Sequence, residues 1–412
     1  MEKSVSAVTD KKVSISLPHD LVLFILSKLP IRELKRFQCV CKSWCGLFKN
    51  PHFINMHTNH HTRYNHSCDG DTFLVLHKSL HEEYGESLRC EFYWFSSDKF
   101  ENWVKLDWPS QFQNDDCNIY IVGSVSINGI LCLKQRLKTR QLVLWNPTTT
   151  ESKVIPLSPL ENRPSNRSPW VFLHGFGYDH VCDDYKIIQM IDFFPKVEDN
   201  VRGENGDLIW EDRSYDPLWE IYSLKTNSWK KLDFDMRNCY HYSIVKAMGV
   251  YTDGLFHWWA KSETKNIGEN LLSFDFSTEM LIKTPMPTDI DHRYAVRNLV
   301  NLDGSIALIS NYPEAATFDI SILGKIGVRE SWIKIIDGSL PFVGYPIGVG
   351  KSNNVVISNE DGEEVILISH ESVWVDLSTP LFGKLHVNGD KLGSCQMGRY
   401  KKSFDPIGTI NS

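Results

Sequence analysis

The apolar positions follow two different periods. Between residues 17 and 58 the spacing is helical: Leu21, Val22, Ile25, Leu26 and Leu29 fall where one side of a helix would carry them. Pro18 suits a first helical turn, and Asp20 suits the positive end of the helix dipole. Pro30 forces a stop. A second helix carries Leu34, Phe37 and Val40 on one side and leaves Arg32, Lys35 and Arg36 for water. A third segment turns Trp44, Leu47 and Phe48 inward before Pro51 breaks the pattern. Helices of about ten residues are too short to be stable alone and must pack on one another.

From Thr72 onward the pattern alternates, and a loose repeat emerges. An apolar strand, a polar turn and a second strand, often opening on tryptophan, recur at Phe92–Trp108, Leu142–Leu157, Trp219–Phe234, Leu271–Met286, Thr317–Asp337 and Val365–Leu377. Ahead of three copies sits another hairpin, turning at Asn128-Gly129, Asp253-Gly254 and Asp303-Gly304, pairs that tolerate positive φ in tight turns. Two hairpins per unit make a four-stranded sheet, and recurrence at roughly 45–50 residues is the signature of a β-propeller. Counting the outer hairpins gives six blades; a seven-bladed or irregular closed arrangement is the alternative. Two polar stretches, Ser158–Pro169 and the acidic Pro195–Pro217, read as surface loops. The expected fold class is therefore α+β by segments, a small three-helix head followed by an all-β domain.

Composition narrows the function classes. At 412 residues with 42% hydrophobic and 12% aromatic side chains, a large buried core is affordable. The formal charge of −7 argues against a basic nucleic-acid-binding face. Ten cysteines lie scattered without a paired framework, as in a reducing compartment. Residues 1–16 have no apolar signal core, and the longest purely apolar run, Leu21 to Leu26, is far short of a membrane span. The expectation is a soluble intracellular protein of the cytoplasm, the nucleus or both, with no membrane or nucleic-acid partner.

Candidate chemistry is sparse. His52, His57, His60, His61, His66 and Cys68 are metal-ligand types, but their spacing matches no zinc motif, so no metal is expected. Gly344–Gly350 lacks the Lys-Ser/Thr of a phosphate loop, and Ser273-Phe274-Asp275 is only a fragment of a sialidase-type box. Asp183 and Asp184 read as turn caps and not as paired catalytic carboxylates. Trp103, Trp229, Trp332 and Trp374, one per repeat, read as packing between sheets and not as a sugar-stacking cage; Trp258-Trp259 should send its rings to opposite faces. No catalytic residue and no cofactor is expected.

Leu17-Pro18, Ile25-Leu26, Leu29-Pro30, Leu34, Phe37 and the run Val40-Cys41-Lys42-Ser43-Trp44, extended by Pro51, Phe53 and His57, resemble the F-box of plant F-box proteins. The stretches LWNPTTTESKVIP, FGYDHVCDDYKIIQM, EIYSLKTNSWKKL, GLFHWWA, LSFDFSTE, VRESWIKI and RYKKSFDPI resemble the F-box-associated, kelch-type domain of the S-locus F-box-like group. The double glycine of true kelch repeats is absent. The resemblance implies a flexible leader at 1–16, an F-box at 17–58, a linker at 59–71, the propeller-like domain at 72–407 and a tail at 408–412. It also implies a substrate receptor of a ubiquitin ligase, docking a Skp-type adaptor that bridges to a cullin and a RING protein. On that reading Leu17, Pro18, Leu21, Ile25, Leu29, Pro30, Leu34, Val40, Cys41 and Trp44 form or support the adaptor surface, and loops such as Ser158–Pro169 and Pro195–Pro217 meet an unknown protein target. The alternatives are a non-degradative scaffold and a propeller lectin or enzyme.

Overall fold

A computed structural model describes residues 19–29, 37, 40, 42–47 and 53, then 72–81, 88–96, 103–107, 109–112, 119–123, 126–135, 141–159, 167–195, 217–233, 249–260, 269–287, 296–302, 304–312, 315, 317–339, 344–350, 355–359, 364–368, 383–384, 391–403 and 406–407. The chain divides into two compact units, Met1–Asp71 and Thr72–Ser412.

The first unit contains α1 (His19–Leu26) and α2 (Lys42–Leu47). Leu26, Leu47 and Phe53 are buried, and the Phe37 and Trp44 rings meet edge to face at 5.5 Å. The chain leaves α1 through a turn at Ser27–Leu29, where the Ser27 hydroxyl donates to the Phe24 carbonyl (2.9 Å), so the helix ends just before Pro30 as expected. Apart from Phe37 and Val40, the expected middle helix lies outside the described residues.

The described part of the second unit is almost wholly antiparallel sheet. The alternating segments form six four-stranded sheets. The first contains β1 (Thr72–His81), β2 (Leu88–Phe95) and β3 (Trp103–Lys105). The second is β4 (Ile119–Ile121), β5 (Leu131–Gln135), β6 (Leu142–Asn146) and β7 (Glu151–Ile155). The third is β8 (Arg167–Asp179), β9 (Asp184–Pro195), β10 (Leu218–Ser223) and β11 (Ser228–Leu232). The fourth is β12 (Val250–Thr252), β13 (Leu255–Ala260), β14 (Asn270–Asp275) and β15 (Met280–Pro285). The fifth is β16 (Val296–Leu302), β17 (Ser305–Tyr312), β18 (Thr317–Leu323) and β19 (Trp332–Ser339). The sixth is β20 (Gly344–Val349), β21 (Val355–Asn359), β22 (Glu364–Ile368) and β23 (Gly383–Lys384). The last strand, β24 (Lys391–Lys401), returns to pair with β1 and completes the first sheet.

The core lies between sheets. Each sheet shares an apolar cluster with the next: Phe92 with Trp145, Leu144 with Phe176 and Ile187, Trp219 with Trp258 and Phe274, Leu271 with Leu299 and Leu308, Ile309 and Ile320 with Val355 and Ile357. Ile347 and Val356 of the sixth sheet then meet Leu74 and Met397 of the first, so the succession closes on itself. This is propeller packing, in which both faces of every sheet are covered by neighbours.

The turns follow from local chemistry. Asn128 (φ 50°) and Asp253 (φ 49°) take the left-handed conformation before Gly129 and Gly254, as their residue pairs predict. A second turn type recurs: Asn146, Asp179 and Asp275 end a strand, and each side-chain oxygen accepts the backbone N–H two and three residues on. Each of these turns closes on a left-handed Thr150, Asp183 or Glu279. One expectation needs correcting. Val365–Leu377 is not a short hairpin within the described residues: β22 pairs with Gly383 and Lys384, and Trp374 lies outside the described residues.

Candidate functional site

In α1 the apolar side that faces outward is as informative as the side that is buried. Leu26 packs inward and Val22 and Leu23 are half-buried, while Leu21 (43%), Phe24 (50%) and Ile25 (45%) are exposed. Spacings of three and four residues place these side chains side by side as one stripe. The Lys28 ammonium sits over the Phe24 ring at 3.9 Å and borders it. Val40 is also exposed, whereas Leu29 and Trp44 are half-buried and support the head. Of the ten residues expected from the sequence, Leu21, Ile25 and Val40 therefore present surface. Leu17, Pro18, Pro30, Leu34 and Cys41 lie outside the described residues. Phe24, three residues after Leu21 and not among the ten, is exposed beside them.

In the sheet unit, antiparallel connectivity sorts the connections between two ends of the ring. One end holds tight turns at 147–150, 180–183, 224–227, 253–254 and 276–279. The other holds the links from β7 to β8, from β9 to β10, from β11 to β12 and from β15 to β16. Both loop candidates belong to this second end. The boundary of the first shifts, however: β8 begins at Arg167, so Arg167, Ser168 and Pro169 are strand, paired with Pro195, Phe194 and Phe193. Their alternation was hidden by two polar residues and a proline in sequence. Pro195 closes β9, and 196–216 lie outside the described residues.

The groups considered for chemistry have structural partners. Asp184 accepts from the Ser223 hydroxyl (2.5 Å) and the Lys225 N–H (2.8 Å), and Asp183 accepts from the Tyr178 hydroxyl. Asp179 is fully buried and pairs with Lys186 (2.9 Å), while the Ser277 hydroxyl of the fourth sheet donates to it (2.8 Å). Burial alone would raise the Asp179 carboxyl; Lys186, the Cys182 and Val181 N–H groups and Ser277 outweigh it and hold the acid well below the usual range. His257 Nδ1 lies 2.7 Å from the Ser273 hydroxyl, but both residues are completely buried and burial pushes the imidazole down to about 4. A sealed Ser–His pair has no route to a substrate. The Trp229 and Trp332 indoles donate to the carbonyls of Pro156 and Pro285, each at the outer edge of the preceding sheet. Trp258 joins the cluster facing the third sheet and Trp259 the one facing the fifth. Among the described residues no group of three acidic, His or Cys side chains could hold a metal, and no helix is long and apolar enough to cross a membrane. The six histidine-segment residues lie outside them.

Comparison with known proteins places this geometry. A family model described as the F-box associated beta propeller domain matches residues 105–391, and the F-box domain matches residues 15–55. The chain belongs to the F-box proteins that carry an F-box-associated β-propeller. F-box protein CPR1 of Arabidopsis thaliana is 24% identical over 384 residues, spanning 90% of this chain and 84% of that protein. The F-box/WD-40 repeat-containing protein 1 of the same plant is 27% identical over 381 residues, spanning 86% and 79%. Among solved structures, a catalytically inactive virginiamycin B lyase from Staphylococcus aureus aligns over 77% of this chain and 86% of its own at 7% identity and a TM-score of 0.33, a likeness that carries no argument.

Proposed function

We propose that this F-box protein is a non-catalytic substrate receptor of an SCF-type ubiquitin ligase. The observation that carries the reading is the exposed stripe of Leu21, Phe24 and Ile25 on a helix within the matched F-box. Three large apolar side chains held in water on so short a helix are the anchors expected of a docking surface. A Skp-type adaptor covers them, and the cullin and RING protein join through the adaptor. The six sheets serve as the blades of a rigid mount, and the loop-rich end presents a protein target. The receptor contributes proximity, since holding the target near charged ubiquitin raises the effective concentration of its lysines.

Affinity capture of the full-length chain from plant extract, scored by mass spectrometry, tests this. Adaptor and cullin should both be recovered; recovery of neither overturns the reading. A non-degradative scaffold would recover both without any captured target accumulating when the protein is removed.

A further inference from the structure

The third sheet has an overhang. β10 first pairs at Leu218, opposite Ile191, so among the described residues Asp192–Pro195 of β9 and Arg167–Trp170 of β8 pair only with each other. Four residue pairs at about 3.3 Å each make a two-stranded ribbon roughly 13 Å long, standing beyond the sheet at the loop-rich end. Its root is braced from the second sheet, where the buried Lys134 ammonium donates to the Val171 carbonyl at 2.9 Å.

Trp170 lies on this ribbon and is 50% exposed, whereas Trp145, Trp219 and Trp258 are 2–3% exposed. No other tryptophan whose side chain is described is exposed. Directly across the ribbon stands Asp192, on the same face as cross-strand partners must be. The Phe193 N–H donates to Asp192 Oδ1 (2.8 Å) and fixes the carboxylate; among the described residues no other donor reaches it. The Phe172 ring, 6.4 Å from the indole, floors the same face. An indole plane beside a held carboxylate is complementary to one chemistry: a planar cation that stacks on the ring and donates to the acid. In sequence, residues 196–217, which follow β9, count seven acidic against three basic.

We propose that the Trp170–Asp192 face of the ribbon is a recognition site for an arginine side chain in a basic segment of the protein target. This deepens the receptor reading and rests on it for the word target, but the site itself does not depend on the F-box.

The test uses the full-length protein and an immobilised library of random twelve-residue peptides, with adaptor affinity measured on the same preparations. The expected result is enrichment of peptides carrying Arg at one fixed position, lost when that Arg is replaced by Gln. For an enriched peptide, Trp170→Ala should weaken binding about 30-fold, the scale of a hot-spot aromatic. Asp192→Asn should weaken it about tenfold and flatten its salt dependence. Trp170→Phe should fall between wild type and Trp170→Ala, and thermal unfolding should be unchanged in all three. No enrichment, enrichment of acidic or uncharged peptides, or binding that survives Trp170→Ala and Asp192→Asn overturns the site. Adaptor binding that fails while Arg peptides still bind removes the receptor reading and leaves the site standing.

Discussion

Removing one oxygen atom should loosen the ring where it closes. The Tyr400 side chain is fully buried, and its hydroxyl lies 2.7 Å from Thr148 Oγ1, 3.0 Å from Asn146 Oδ1 and 3.1 Å from the Gly129 carbonyl, and accepts from the Thr148 N–H at 3.3 Å. Asn146 also donates to the Ser403 carbonyl (3.0 Å), so the turn after β6 grips the C-terminal strand through two residues. In Tyr400→Phe the Thr148 N–H and Asn146 Oδ1 keep each other at 2.9 Å. The Gly129 carbonyl and the Thr148 hydroxyl each lose a partner in a buried site. At about 1–3 kcal/mol per stranded group the loss is about 2–6 kcal/mol. Unfolding entropy of about 2.1 cal/mol/K per residue over the roughly 340 residues of this unit turns that into a Tm lower by about 3–8 °C. Differential scanning calorimetry measures it, and hydrogen exchange should show the loss first in β24 and β1. A Tm shift below about 1 °C, or exchange unchanged in β24, would refute the clasp.

Three further substitutions probe the same packing. Gly177→Ala would push a Cβ into the Phe276 ring of the fourth sheet; overpacking should cost about 1–3 kcal/mol in urea unfolding, outweighing any gain from a stiffer unfolded chain. Asp179→Asn leaves the Lys186 ammonium with the Glu279 carboxylate and the Phe276 carbonyl, and should cost about 3 kcal/mol at neutral pH. Because the Asp179 acid is held low, that difference should shrink as pH falls below the usual carboxylate range, and a difference constant down to pH 2 would contradict the pairing. His257 is neutral when folded, so its contribution is complete above about 6.5 and is lost as pH falls toward 4, by up to about 3 kcal/mol. Relative to His257→Asn, wild-type stability should drop over that window; parallel curves would contradict the burial of a neutral imidazole.

Much of this molecule was legible because its repeats are written in local chemistry. Asn-Gly and Asp-Gly pairs marked the inner turns, and strand alternation marked the sheets. At the head of the outer strands, Trp229 and Trp332 each bond the preceding sheet, as packing residues do, while Trp374 lies outside the described residues. The second turn type was written just as openly, in the Asn or Asp that precedes PTTT, HVCD and FSTE, but it needs no glycine and so escapes a search for glycine turns. The alternating glycines of HGFGYD carried a different message: Gly175 and Gly177 leave room for Phe256 and Phe276, partners about 80 to 100 residues away that no local pattern names. The sites divided the same way. Helical spacing puts Leu21 and Ile25 on one side of a helix but does not say which apolar residues face water, because burial depends on what packs behind the helix. The ribbon is hidden in sequence because Arg167, Ser168 and Pro169 look like loop until register pairs them with Pro195, Phe194 and Phe193 of β9.

The central claim rests on the outward stripe of α1, and calorimetric titration of the purified chain with a purified plant Skp-type adaptor tests it most directly. Leu21 and Ile25 are each over 40% exposed, so Leu21→Glu with Ile25→Glu should leave the Tm within about 1 °C of wild type. Wild type should bind, and the double variant should lose at least about 100-fold in affinity through two anchors placed as charges in an apolar interface. A wild-type chain that does not bind the adaptor, or a double variant that binds as tightly, would contradict the account.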